Sequence, residues 1–97
     1  MRRALPGIVL AVAACGGWRK GDALRQVNAG RWPSEEVAAD GKSLAAQCDD
    51  DSGGISVHKR AEACWRIGAL FERWGGKREV IELFQKRACA IDSRECR

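Results

Sequence analysis

Five cysteines carry most of the chemistry this sequence could do: Cys15, Cys48, Cys64, Cys89 and Cys96. In a short chain such thiols pair as disulfides, ligate a metal or act as nucleophiles. No Cys-x-x-Cys occurs, so thioredoxin-like redox chemistry lacks its motif. The single histidine, His58, lies between Cys48 and Cys64. With them it could supply three zinc ligands, but the spacing fits no standard zinc site. Asp49-Asp50-Asp51-Ser52-Gly53-Gly54 reads as a loop that offers carboxylates for calcium and has glycine in the sixth place. Against calcium, Gly53 stands where an acid or amide belongs, and Arg60 where the closing glutamate belongs. Ser56 and Lys59 are spaced as a nucleophilic hydroxyl and its amine base. Trp65-Arg66 and Arg73-Trp74 each join an aromatic ring to a guanidinium, the composition of protein-binding hot spots.

The elements that must position these groups are few. With 97 residues the chain is one domain at most, too short for a doubly wound sheet or a barrel enzyme. A composition 45% hydrophobic and 31% charged excludes a typical disordered chain. Ser34 is a good N-cap, followed by Glu35-Glu36, and Val37, Gly41, Leu44, Ala45 and Cys48 then fall on one helical face. Gly41 inside that helix costs about 1 kcal/mol relative to alanine. A second helix is expected from about Val57 to Trp74, with Ala61, Cys64, Trp65, Ile67, Gly68, Leu70, Phe71 and Trp74 on its apolar face. Gly75-Gly76 stops it. A third runs from about Lys77 to Ala90 on a stripe of Val80, Ile81, Leu83, Phe84 and Ala88. A two-glycine turn between such helices makes an antiparallel αα-hairpin.

The N-terminus reads as an address. Met1-Arg2-Arg3 is followed by an uncharged stretch, Ala4 to Ala14. As a helix it spans about 17 Å, well short of a bilayer core, so it is expected to be a signal peptide. Val12-Ala13-Ala14-Cys15 resembles the lipobox of bacterial lipoproteins, which implies lipidation of Cys15. Ordinary cleavage around Ala11-Val12-Ala13, giving a secreted protein, is the alternative. Gly16 after the cysteine implies the outer membrane in a Gram-negative host. Loss of Arg2 and Arg3 takes the formal charge from +4 to +2. The remaining cations are interleaved with acids, which argues against nucleic acid. The expected division is residues 1–14 as signal peptide, 15–33 as flexible tether with a weak amphipathic turn around Leu24 and Val27, and 34–97 as a small helical domain. Trp18 and Trp32 fall in the tether, where a contact with the membrane interface is one use for them.

Ile67-Gly68-Ala69-Leu70-Phe71, with Gly75 and Phe84, resembles one tetratricopeptide-type repeat. Lys86-Arg87-Ala88-Cys89 through Cys96 is similar to the junction of cysteine-rich Sel-one-like repeats, and Cys48 and Cys64 would form an earlier copy of it. The resemblance covers roughly residues 45 to 96 and departs from the family at Val80 and in the long Cys48–Cys64 interval. It implies an all-α fold, one αα-hairpin preceded by a helix, and a binding surface on the first helices.

Ser56-Val57-His58-Lys59 also matches the nucleophile motif of penicillin-recognising serine enzymes, but its companion elements are absent. A β-lactamase-like enzyme is therefore the least favoured reading. With Cys15 lipidated, four cysteines remain, and they allow three pairings. Helical phase favours Cys48–Cys64 with Cys89–Cys96, and a nested Cys64–Cys89 inside Cys48–Cys96 stays open. Cys89 and Cys96 would lie about 10.5 Å apart in one unbroken helix, so the local pairing needs a break near Asp92-Ser93.

The expected protein is non-catalytic. Trp65, Arg66, Arg73 and Trp74 would meet a protein partner in the cell envelope, and a lipid would anchor the chain. No cofactor, metal, nucleic acid or small-molecule substrate is expected. A structural subunit that completes its fold by stacking on another repeat protein is the alternative.

Overall fold

The computed structural model describes residues 18–96. Residues 1–14 and Cys15, on which the signal-peptide and lipidation expectations fall, lie outside them. The described residues form four helices and a terminal turn: α1 (Asp22–Ala29), α2 (Glu35–Asp49), α3 (Val57–Arg73), α4 (Arg78–Ile91) and a 3-10 turn at Ser93–Glu95. No strand is found among them. None of these helices is long and apolar enough to cross a membrane.

Local chemistry sets the helix ends. Ser34 Oγ accepts the Val37 amide at 3.2 Å and starts α2, with Glu35 and Glu36 favourably placed in its first turn. Ser56 Oγ accepts the Lys59 amide at 3.1 Å and starts α3. The turn after α3 is closed by Gly75, at φ +88, and by the Gly76 amide donating to the Phe71 carbonyl at 2.6 Å. Asp92 ends α4 and caps the 3-10 turn, accepting the Arg94 amide at 3.0 Å.

Successive helices pack against one another, α1 on α2, α2 on α3 and α3 on α4. Two glycines mark the crossings. A Cβ on Gly41 would lie 3.1 Å from Val27 Cγ1 of α1, so the helix-breaking residue inside α2 is where α1 approaches closely. A Cβ on Gly68 would lie 3.3 Å from the Ile81 carbonyl and 3.5 Å from Phe84 Cβ, so the absent side chain lets α4 close on α3. The core is Val27, Ala45, Cys48, Cys64, Ile67, Phe71, Ile81, Phe84 and Ala88. Phe71 stacks on Phe84 at 5.9 Å between ring centres.

The expected flexible tether at residues 15–33 is corrected from Trp18 onward. Residues 22–29 form α1, whose Ala23 and Val27, four apart, are fully buried. Trp18 meets Phe84 edge-on at 5.5 Å and Trp32 tilts on Phe71 at 4.9 Å, so both rings rest on the core. An eight-residue helix bounded by glycines does not persist alone. Burial of its apolar face and of the two indoles supplies what its propensity lacks.

Both disulfides are local. Cys48–Cys64 joins the end of α2 to α3 with Cα atoms 4.9 Å apart, and Cys89–Cys96 joins the end of α4 to the terminal turn at 4.5 Å. The nested pairing is excluded. The break at Asp92 folds Cys96 back within reach of Cys89, as the helical rise required. Each helix pair, α1–α2 and α3–α4, thus ends in a cysteine bonded to the element that follows.

Candidate functional site

The four residues read from sequence as a binding surface do not converge. Trp65 is half-buried beside the second disulfide and lines a depression with Glu82, Gln85 and Lys86. Arg66 and Arg73 line a groove between α2 and α3, with Leu44 and Leu70 at its base. Trp74 belongs to a third recess. Arg73 and Trp74 touch: the Arg73 guanidinium lies 5.2 Å from the Trp74 ring centre.

The third recess gathers three aromatic rings. It is a cleft of about 330 Å³ between the α1–α2 link and the α3–α4 turn. Trp32, Phe71 and Trp74 supply its rings, Gly30, Gly75 and Gly76 its backbone walls, and Arg31 and Lys77 its charges. The glycines decide its shape. A Cβ on Gly30 would lie 2.9 Å from Phe71 Cε1, and one on Gly76 would lie 2.6 Å from Phe71 Cδ1. The Trp32 indole N–H is already spent on the Val27 carbonyl at 2.8 Å, so that side chain presents a fixed ring. Trp74 is 39% exposed although it is large and apolar.

Sequence reasoning missed Trp32, Phe71, Arg31 and Lys77 as site residues. The signal was present in Gly30-Arg31-Trp32 and Trp74-Gly75-Gly76-Lys77, where each inter-helix link joins glycine, indole and cation. Assigning residues 15–33 to a tether hid the first half.

The other sequence candidates have local structural roles. Ser56 Oγ is bound by the Lys59 backbone amide, so the Ser-x-x-Lys spacing is accounted for by an N-cap. Cys48 and Cys64 are consumed in a disulfide and cannot join His58 in a zinc set. His58 Nδ1 lies 3.3 Å from Asp92 Oδ2 instead. Among the described residues no three histidine, cysteine, aspartate or glutamate side chains gather as a metal site.

Asp49, read as a loop acid, is 7% exposed. It accepts the Trp18 indole N–H at 3.1 Å and the Ala23 and Leu24 amides at 3.2 and 3.4 Å. Gly21 gives α1 no side-chain cap, so the α2 carboxylate caps it from across the fold. The Asp50 carboxylate accepts from the Ser52 hydroxyl and amide, which hold it below its ordinary pKa. Arg87 lies 5.3 Å from the Trp18 ring centre. Burial, then the Arg60 guanidinium, lowers its pKa, against the pull of Asp49 and Asp51.

No protein-family model, curated protein or solved structure matches the chain.

Proposed function

We infer that this chain is a non-catalytic, exported protein-interaction module, built on a Sel-one-like or tetratricopeptide-like helix pair and held at the cell envelope by a lipid on Cys15. The observation that carries the reading is the open aromatic cleft on a cross-linked scaffold. Half-buried Trp32 and exposed Trp74 stand at the helix links beside buried Phe71, and Arg31 and Lys77 line the same recess. Rigid aromatic and cationic groups in a recess are what a protein partner uses as an anchor point. Two disulfides in so small a domain support an oxidising compartment, and hence export.

A second reading draws on the α2–α3 groove. Leu44 and Leu70 at its base, between Arg66 and Arg73, suit a subunit that stacks a helix of another repeat protein there.

Two measurements test these readings. The intact mass of the exported protein is expected to start at Cys15 plus acyl chains, and to gain four hydrogens on reduction of both disulfides. An unprocessed mass with free thiols would remove the envelope address. A photo-crosslinking residue is then placed in turn at Lys77, Arg66 and Lys42 in the bacterial host. The expected result is one reproducible envelope protein joined from Lys77 or Arg66 but not from Lys42, and bound again when purified. Adducts from Arg66 alone favour stacking. No adduct from any position would sink the interaction reading.

A further inference from the structure

We propose that the Trp32–Phe71–Trp74 cleft captures an acidic peptide segment, seating one large apolar side chain among the rings while carboxylates flanking it meet Arg31 and Lys77. This rests on the protein-interaction reading and names its site and partner chemistry. The cleft lies at the links between helices, away from the α2–α3 groove, and joins the two helix pairs.

Three observations carry it. The cleft is small: about 330 Å³ is at the low end of ligand pockets, which run from roughly 300 to 1,000 Å³. That suits a single ring or branched aliphatic group. Its lining carries two cations and no acid. Arg31 comes from the α1–α2 link and Lys77 from the start of α4, so they approach an occupant from two elements. Both are exposed, and among the described residues neither is in an ion pair. The nearby acids are otherwise placed: Glu72 pairs with Arg78 at 3.8 Å, and Glu35, Glu36 and Glu79 lie in the first turns of α2 and α4 without lining the cleft. An apolar floor with unpaired cations around it is complementary to an apolar side chain between carboxylates.

A recess of about 330 Å³ admits a single side chain, which favours a peptide over a lipid surface. Phe71 packs where Cβ atoms on Gly30 and Gly76 would lie, so these glycines hold that ring at the cleft, while Trp74 is 39% exposed with the Arg73 guanidinium 5.2 Å from its ring centre.

The test uses the oxidised exported chain and three capped pentapeptides: phenylalanine between pairs of glutamates, phenylalanine between pairs of lysines, and alanine between pairs of glutamates. Amide and indole NMR signals follow the titration. The glutamate–phenylalanine peptide is expected to shift the Trp32 and Trp74 indoles and the Gly30, Gly75 and Gly76 amides saturably, and more weakly as salt rises. The other two peptides should bind at least about tenfold more weakly. Trp74→Ala, Arg31→Glu and Lys77→Glu, all at exposed positions, should each weaken binding roughly tenfold. The combined R31E/K77E chain should prefer the lysine peptide. Unchanged disulfides and helix signals in each variant show that folding is intact. No saturable shift, or equal binding of the glutamate and lysine peptides, overturns the proposal. So do cleft shifts seen with phosphatidylglycerol vesicles and with no peptide. Shifts at Leu44, Leu70 and Arg66 instead reject this site but keep a peptide-binding module. A crosslinked envelope partner that no cleft variant affects does the same.

Discussion

Two aspartates hold the chain, Asp49 from a stretch read as a loop and Asp92 at the expected helix break. Asp49 ties three N–H donors of the α1 region to the end of α2. Its removal leaves buried donors unpaired, so Asp49→Ala is expected to cost about 2–3 kcal/mol, read as a lower urea midpoint. Asp49→Asn, which keeps an acceptor oxygen, should cost less. Asp92 receives the Arg94 guanidinium at 2.8–3.1 Å, and this side chain, then the Arg94 amide, lowers its pKa from 3.8 to about 2. A depressed carboxyl stabilises the fold above its ordinary value and loses that contribution as pH falls. The contribution of the Asp92 carboxylate to the C-terminal turn is therefore expected to be full above about pH 4 and to be lost between about 4 and 2. Amide exchange of residues 92–96 against pH checks this. Arg94→Ala should move the onset upward, towards the ordinary carboxyl range. An Asp92 titration in the NMR spectrum that Arg94→Ala leaves unchanged would refute the assignment.

At the scale of elements, α1 is the test of what packing adds to propensity. Val27 is fully buried and Leu24, on the same helix, is 40% exposed. Val27→Ala should lower stability by about 2 kcal/mol, from lost burial and the cavity left behind. Leu24→Ala should stay within about 0.5 kcal/mol. Equal effects would mean that α1 is not docked in solution. The glycine after α3 makes a second test. A methyl on Gly76 would press on Phe71 Cβ at 2.7 Å, and that side chain has no flexible end there to yield. Gly76→Ala is expected to cost about 1–3 kcal/mol, a fall in Tm of several degrees for a domain of this size. It should also disturb the Trp32 indole signal, since Trp32 rests on the same ring. The α2, α3 and α4 boundaries were legible to within a residue or two, because Ser34, Ser56 and Gly75 act through chemistry local to the chain. Of α1 only an amphipathic turn around Leu24 and Val27 was legible, because the helix is held by Gly41 packing on Val27 and by the Asp49 cap, both outside its own segment.

For the whole molecule the disulfides dominate. In the loop-entropy picture, closing 16 residues contributes about 3 kcal/mol and closing 7 about 2 kcal/mol. These are large beside the total stability of so small a domain. Replacing Cys48 and Cys64 together by alanine should therefore lower Tm more than replacing Cys89 and Cys96. The first pair is fully buried and joins the two helix pairs, whereas the second pins only the terminal turn. Equal losses in thermal melts would count against that ordering.

The sequence alone determined the all-helical class, three of the four described helices, the helix break at Asp92 and the preference for local disulfides. All of these follow from caps, periodicity and helical rise, which act within a few residues. Tertiary structure decided the rest. It placed α1 in the core, turned Asp49 from a loop acid into a cap for another helix, and scattered the expected Trp65, Arg66, Arg73 and Trp74 surface over three recesses. It also drew Arg31 and Trp32 beside Phe71 and Lys77, from opposite halves of the chain. Such meetings depend on which helix faces bury together, and burial free energy belongs to the assembled core rather than to any one segment.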